Sequence, residues 1–223
     1  MRPYVSLPRA LADLGGVEGP KVLTQDPESG CTTMLWALPA NTVAELGVPG
    51  YDAEYLLVSG VLCDPTGTPW PRYAYRSVRA SGSLSVSATE PAVLLRRTLP
   101  ATEEPMDEVA IDPANRRWVE VPGPDGGPGL ARLALRWQVD RGDCSLLVRF
   151  DPGWVSPHGK HWHSTFEECL VLEGTIETDT EISETGSYVF KPPGTPQSPP
   201  RTPGGALVWI SHGGVMDFRP VTA

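Results

Sequence analysis

The sequence predicts an all-β chain made of two similar domains in tandem. Its apolar residues come in strand-length runs bounded by Gly, Pro, Asp and Ser: Thr32 to Leu38, Tyr55 to Leu62, Ser145 to Phe150, Cys169 to Leu172, Tyr188 to Phe190 and Ala206 to Ser211. Short strands at this spacing, with turns between, indicate an antiparallel sandwich or barrel. The 25 prolines and 23 glycines are dispersed through the 223 residues, as many short turns require. The third observation is an internal repeat. A displacement of 113 residues brings Gln25 onto Gln138, Cys31 onto Cys144, Pro39 onto Pro152 and Glu54 onto Glu167. It also pairs Leu57-Val58 with Leu170-Val171, Tyr75 with Tyr188 and Leu94 with Leu207, and one deletion then aligns Gly60 with Gly174. The matches fall at the same landmarks in each half: strand starts, the proline after a strand, the glutamate before a Leu-Val run.

Taken in order, the chain opens with Met1-Arg2-Pro3-Tyr4, which carries no apolar leader, so a cytoplasmic location is expected. Arg9 to Leu14 and Glu103 to Val109 are the only stretches that suggest a helical turn. Residues 1–100 form the first expected domain. It contains no histidine, and Val48 and Gly50 stand where the repeat places His161 and His163. With Glu54 as its one retained carboxylate, it reads as a structural domain. Residues 101–129 are expected to link the halves and exchange strands, being acidic and then rich in turn formers (Pro122-Gly-Pro-Asp-Gly-Gly-Pro-Gly129). Residues 130–223 form the second domain.

Composition narrows the function. A net charge of −9 argues against nucleic acid and anionic membrane surfaces as partners. No apolar run approaches the roughly 18 residues of a membrane span. Cys31, Cys63, Cys144 and Cys169 are scattered, with no C-x-x-C pair, which fits reduced thiols in a cytosolic protein.

The chemistry concentrates in Pro157-His158-Gly-Lys-His161-Trp-His163-Ser-Thr-Phe-Glu167, which holds three of the four histidines. Side chains alternate faces along a strand. A strand regular through His161, His163 and Glu167 therefore points all three one way, and two imidazoles with one carboxylate match the facial set used for divalent transition metals. Glu168 is the other carboxylate at a workable spacing, but it changes face. Glu173 and Glu168 are nearby acids without an assignable role, and no catalytic residue is identified.

These residues resemble the cupin superfamily, a small jelly-roll β-barrel. Its first motif is Gly, five residues, His-x-His, three or four residues, Glu, six residues, Gly. The chain follows it from His161 through Glu167 to Gly174, with Val155 in place of the leading Gly and Gly153 nearby. The second motif is Gly, five residues, Pro-x-Gly, two residues, His, three residues, Asn. Gly186, Pro192 and Gly194 keep that spacing, while Gln197 replaces the histidine and Arg201 the asparagine. With the repeat, the chain is similar to bicupins, two tandem cupin (double-stranded β-helix) barrels with the first vestigial, and to ChrR-type cupin domains. The resemblance implies a metal held by His161, His163, Glu167 and Gln197. Glutamine offers a weaker neutral oxygen than imidazole, so His158 and His212 are the candidate substitutes, although both are expected in exposed loops. Arg149, Tyr188, Phe190 and Trp209 are the expected pocket residues.

A metal-dependent enzyme acting on a small organic substrate follows. Fe(II) as first choice would make it a non-haem dioxygenase, and Zn, Mn or Ni a Lewis-acid isomerase, cyclase or hydrolase. A non-catalytic metal- or ligand-binding sensor or structural cupin is the alternative. Cupins of this kind associate through sheet edges, so a homodimer is expected.

Overall fold

The computed structural model describes residues 2–14, 19–101, 108–138 and 142–221. Among them the chain is strand and turn, with 3-10 turns only at Ala12–Leu14, Pro113–Asn115 and Pro124–Gly126. The first falls within the expected Arg9–Leu14 turn; most of the Glu103–Val109 stretch lies outside the described residues. Among the described residues no helix is long and apolar enough to cross a membrane.

The strands divide into two units, and the division does not follow chain order strictly. One unit takes Leu14–Arg116, whereas Pro3–Asp13 joins Arg117–Ala223 in the other. In the first unit, a larger antiparallel sheet runs Ala110–Ile111, Tyr75–Val78, Tyr51–Ser59, Ala92–Pro100, Thr32–Leu38, Gly19–Gln25. A smaller one orders Thr42–Leu46, Leu84–Ala88, Leu62–Cys63. The core of this unit packs Leu46, Tyr55, Leu57, Leu62, Trp70 and Leu94.

The second unit repeats the plan. Its main sheet runs Val5–Leu7, Tyr188–Lys191, Glu167–Glu177, Ala206–Gly213, Asp143–Phe150, Leu130–Gln138, Val119–Val121. Short pairs accompany it: Trp154–Val155 with Arg201–Thr202, Ile182–Glu184 with the far end of Glu167–Glu177, and His161–Trp162 with Arg219–Pro220. Alternation explains the sheet's two faces. Cys144, Leu146, Val148 and Ile210 pack on one of them with Leu130 and Trp154. Ser145, Leu147, Leu170, Tyr188, Trp209 and Ser211 are buried on the other.

Register corrects the repeat. In the first unit a bulge separates Leu57 from Ser59 opposite Leu94 and Val93; in the second it separates Val171 from Glu173 opposite Val208 and Leu207. Each bulge precedes a left-handed glycine, Gly60 or Gly174. These strands therefore correspond one residue later than the sequence alignment placed them. Glu54 matches Glu168, and each accepts a hydrogen bond of 2.7 Å from a tyrosine, Tyr75 or Tyr188. Glu167 matches Ala53, so the first unit keeps no carboxylate at the equivalent place.

Candidate metal centre

His161, His163 and Glu167 are brought together, but not by one regular strand. The His161–Trp162 strand is only two residues long, the chain turns through residues 163–166, and a new strand begins at Glu167. His161 is fixed on two sides. It is opposite Pro220 in the C-terminal strand, and it exchanges backbone hydrogen bonds with Gln197, 3.1 Å from the His161 N–H and 2.7 Å from the Gln197 N–H. Glu167 is fixed by register, directly opposite Lys191 on one side and His212 on the other. Directly opposed residues share a face. Lys191, Glu167 and His212 thus form one row across the sheet.

Both imidazoles are held through Nδ1. His161 Nδ1 is 2.7 Å from the Gly159 carbonyl, and His163 Nδ1 is bonded to the Asp217 carbonyl. A carbonyl only accepts, so each Nδ1 carries a proton and Nε2 is the ring nitrogen left facing away from that bond. That is the outer hydrogen bonding characteristic of metal-bound histidines. His163 Nε2 is 3.7 Å from Glu167 Oε2, within the ~4.2 Å that two donors about 2.1 Å from one ion can span. The two rings are 4.9 Å apart, and all three residues are buried. Among the described residues no group of three or more His, Cys, Asp or Glu is arranged so that it could hold a metal ion as it stands.

Lys191 divides the polar atoms of the site. Its ammonium donates to Glu167 Oε1 at 3.2 Å and to Gln197 Oε1 at 2.8 Å, leaving Oε2 on the side of His163. Burial alone would raise the Glu167 pKa, but Lys191, His212 and His163 outweigh it and hold the carboxyl at about 2. Two residues along the same face, burial and the Glu167 charge push the Cys169 thiol well up, so it stays protonated.

A stability test follows from the sign of this shift. A carboxyl whose pKa falls on folding stabilises the native chain above its ordinary value of 4.5 and loses that contribution as pH falls towards about 2. In chelator-treated protein, the difference in unfolding midpoint between the native chain and Glu167→Gln should be widest above pH 4.5 and close by about pH 2.

The C-terminal segment straps the site. Asp217 Oδ1 accepts the Ser164 N–H at 2.8 Å, and Arg219 Nε donates to Asp217 Oδ2 at 2.5 Å. The Arg219 guanidinium lies 4.9 Å over Trp162, and the Val221 N–H reaches the Lys160 carbonyl at 3.1 Å. Phe218 is held 5.0 Å from both His161 and His163, ring centre to ring centre, and stacks on His158 at 3.7 Å. Sequence reasoning missed Asp217 and Phe218, since 54 residues separate Asp217 from His163. It also missed Lys191, whose role appears only once strand register is known.

Other expectations are redirected. His158 is exposed, as expected, but His212 is on a strand, 4% exposed, its ring 6.5 Å from that of His163. Gln197 reaches the site, with its carbonyl accepting from Lys191. Tyr188, Phe190 and Trp209 alternate with Val189, Lys191, Ile210 and His212, so they are on the opposite face of the sheet. There Tyr188 bonds Glu168, which removes that carboxylate from contention, and Phe190 stacks on Phe166 at 5.5 Å. Arg149 is exposed, 3.4 Å from Glu120 and 5.2 Å over Trp118. None of these four lines the candidate site.

A family model described as the ChrR cupin-like domain matches residues 106–216. A search of curated proteins finds no match. Among solved structures, the chain is similar to a Nostoc punctiforme protein described as a candidate dioxygenase, with a TM-score of 0.76 and 16% identity over 100% of this chain and 84% of that one. A Pseudomonas aeruginosa protein described as glyoxylate-induced has a TM-score of 0.66 and 17% identity, over 91% of this chain and 82% of that one. A salicylate 1,2-dioxygenase variant from Pseudoaminobacter salicylatoxidans has a TM-score of 0.62 and 10% identity, over 97% and 87%. At these identities the likeness is one of fold.

Proposed function

The chain belongs to the cupin superfamily, and from that premise we propose that its second unit is a metal-dependent enzyme: His161, His163 and Glu167 bind one divalent transition metal, Fe(II) first, for dioxygenase chemistry on a small organic substrate. The observation that carries this reading is the pair of Nδ1-to-carbonyl bonds that leaves both Nε2 atoms as donors beside a carboxylate held ionised. The residues fit the ion in donor type as well, with mixed nitrogen and oxygen ligands and no thiolate. Bound Fe(II) with open positions supplies a place for O₂ and a chelating substrate together.

The chain's own residues supply the surroundings. Lys191 neutralises the outer oxygen of Glu167 and braces Gln197, which keeps Oε2 turned inward. Phe218 covers the imidazoles on the strap side and limits their contact with water. Among the neighbours of like fold, two are described as dioxygenases and one as an oxalate decarboxylase variant, so O₂ uptake decides between the oxygenase and Lewis-acid classes.

The test is anaerobic reconstitution with Fe(II), Zn, Mn or Ni, followed by O₂ uptake with a panel of catechols, β-diketones and hydroxybenzoates. Fe(II)-dependent uptake that His161→Ala abolishes is the expected result. Turnover under Zn, Mn or Ni without O₂ uptake would move the reaction to the Lewis-acid class. A metal content that His161→Ala leaves unchanged would reject the metal enzyme altogether.

A further inference from the structure

The position expected to supply a fourth ligand holds Gln197, whose carbonyl is already committed to the Lys191 ammonium at 2.8 Å. A different strand brings another imidazole to the site. We propose that His212 is the fourth metal ligand, replacing the second-motif histidine from the strand beside Glu167 rather than from the loop after it. This rests on the metal reading above and extends it.

Three observations carry the proposal. First, His212 is directly opposite Glu167 in the antiparallel register, so both side chains leave the sheet on the same face, with Cβ atoms ~4.5–5.5 Å apart. Second, the ring spacing suits one shared ion. Two imidazoles that each bound one ion at about 2.1 Å would have ring centres at most ~6.4 Å apart. The His163 and His212 rings are 6.5 Å apart, at that limit. His212 is also buried, at 4% exposed.

Third, the first unit shows what the row becomes without a site. Its equivalent strands place Val78, Ala53 and Thr98 in the register that Lys191, Glu167 and His212 occupy in the second. The carboxylate, the lysine and the imidazole are absent together, as expected if they serve one purpose. With His212, the residues that would hold the ion are three imidazoles and one carboxylate, a mixed nitrogen and oxygen set suited to a divalent transition metal.

The experiment is a titration of the full-length, metal-stripped protein with Co(II), read by chelator competition and by the visible ligand-field spectrum. His212→Ala and His212→Gln should each weaken binding by about tenfold or more and change the spectrum, while Gln197→Ala changes affinity less than about twofold. Glutamine fills most of the imidazole's space, so a loss shared by both His212 variants is not a packing defect. Co(II) lost with His161→Ala but held normally by both His212 variants would overturn this inference alone. Affinity lost with Gln197→Ala and kept with His212→Gln would return the fourth position to Gln197. Binding indifferent to His161 and His212 alike would overturn the metal reading beneath it.

Discussion

Asp217→Ala should weaken metal binding by about 10–100-fold, although its carboxylate bonds Ser164 and Arg219. The backbone carbonyl of Asp217 is what holds His163 Nδ1, and no substitution removes a carbonyl directly. Its position depends on the side chain, which accepts the Ser164 N–H and the Arg219 guanidinium. Those two contacts hold the carboxyl at about 2, so the anchor is ionised at any working pH. Without it the strap drifts, His163 loses its acceptor, and both tautomers become accessible to the ring. The magnitude is that typical of lost outer hydrogen bonds to metal ligands. Chelator competition measures it. Because Asp217 is near the surface, the thermal midpoint of the metal-free chain should change little. Unaltered affinity in a folded variant would mean that the carbonyl stays in place without its anchor.

Gly174→Ala should destabilise the second unit by about 2–6 kcal/mol, enough to leave much of it unfolded. Gly174 has φ +76, in the left-handed region, and an added Cβ would meet the Gly205 carbonyl oxygen at 2.2 Å and Ala206 Cα at 3.0 Å. Both are backbone atoms, so no rotamer change relieves the clash. The approach comes just after the bulge between Val171 and Glu173, where Gly174 is directly opposite Ala206. Gly60→Ala meets the same conditions in the first unit, with the Pro91 oxygen at 2.1 Å. Gly194→Ala is the control: its φ is +79, but nothing lies within 4 Å of the added carbon. Only the conformational cost then applies, about 1–3 kcal/mol. Denaturant unfolding compares the three. Equal losses at Gly174 and Gly194 would show that the strands yield at the bulge.

Much of the strand content was legible because apolar runs and turn formers are local signals. Thr32–Leu38 is a strand over the range read from sequence, and Ser145–Phe150 and Ala206–Ser211 lie within strands that extend two residues further at one end. Tyr55 to Leu62 was read as one run and is two, because Gly60 breaks it with a left-handed turn. The second-unit strand that begins at Glu167 was caught only from Cys169, since two glutamates do not look like strand entry. They are tolerated because Lys191 and Tyr188 partner one each.

The site was legible only in part. His161, His163 and Glu167 declare themselves by spacing, and the structure gathers them. Tyr188, Phe190 and Trp209 were placed in the pocket on chemical type, and strand parity sends them to the other face. His212 looked like a loop histidine because glycines follow it. It belongs to the row that holds Glu167.

By itself the sequence determined the all-β class, the duplication and the half that holds the histidines. Each of these is written in residue type and short-range spacing. Only the tertiary structure decided the one-residue register that matches Glu54 to Glu168, the Lys191–Glu167–His212 row, and the Asp217 carbonyl behind His163. Those depend on which distant strands become neighbours, and a shift of one residue in that pairing turns every side chain to the opposite face.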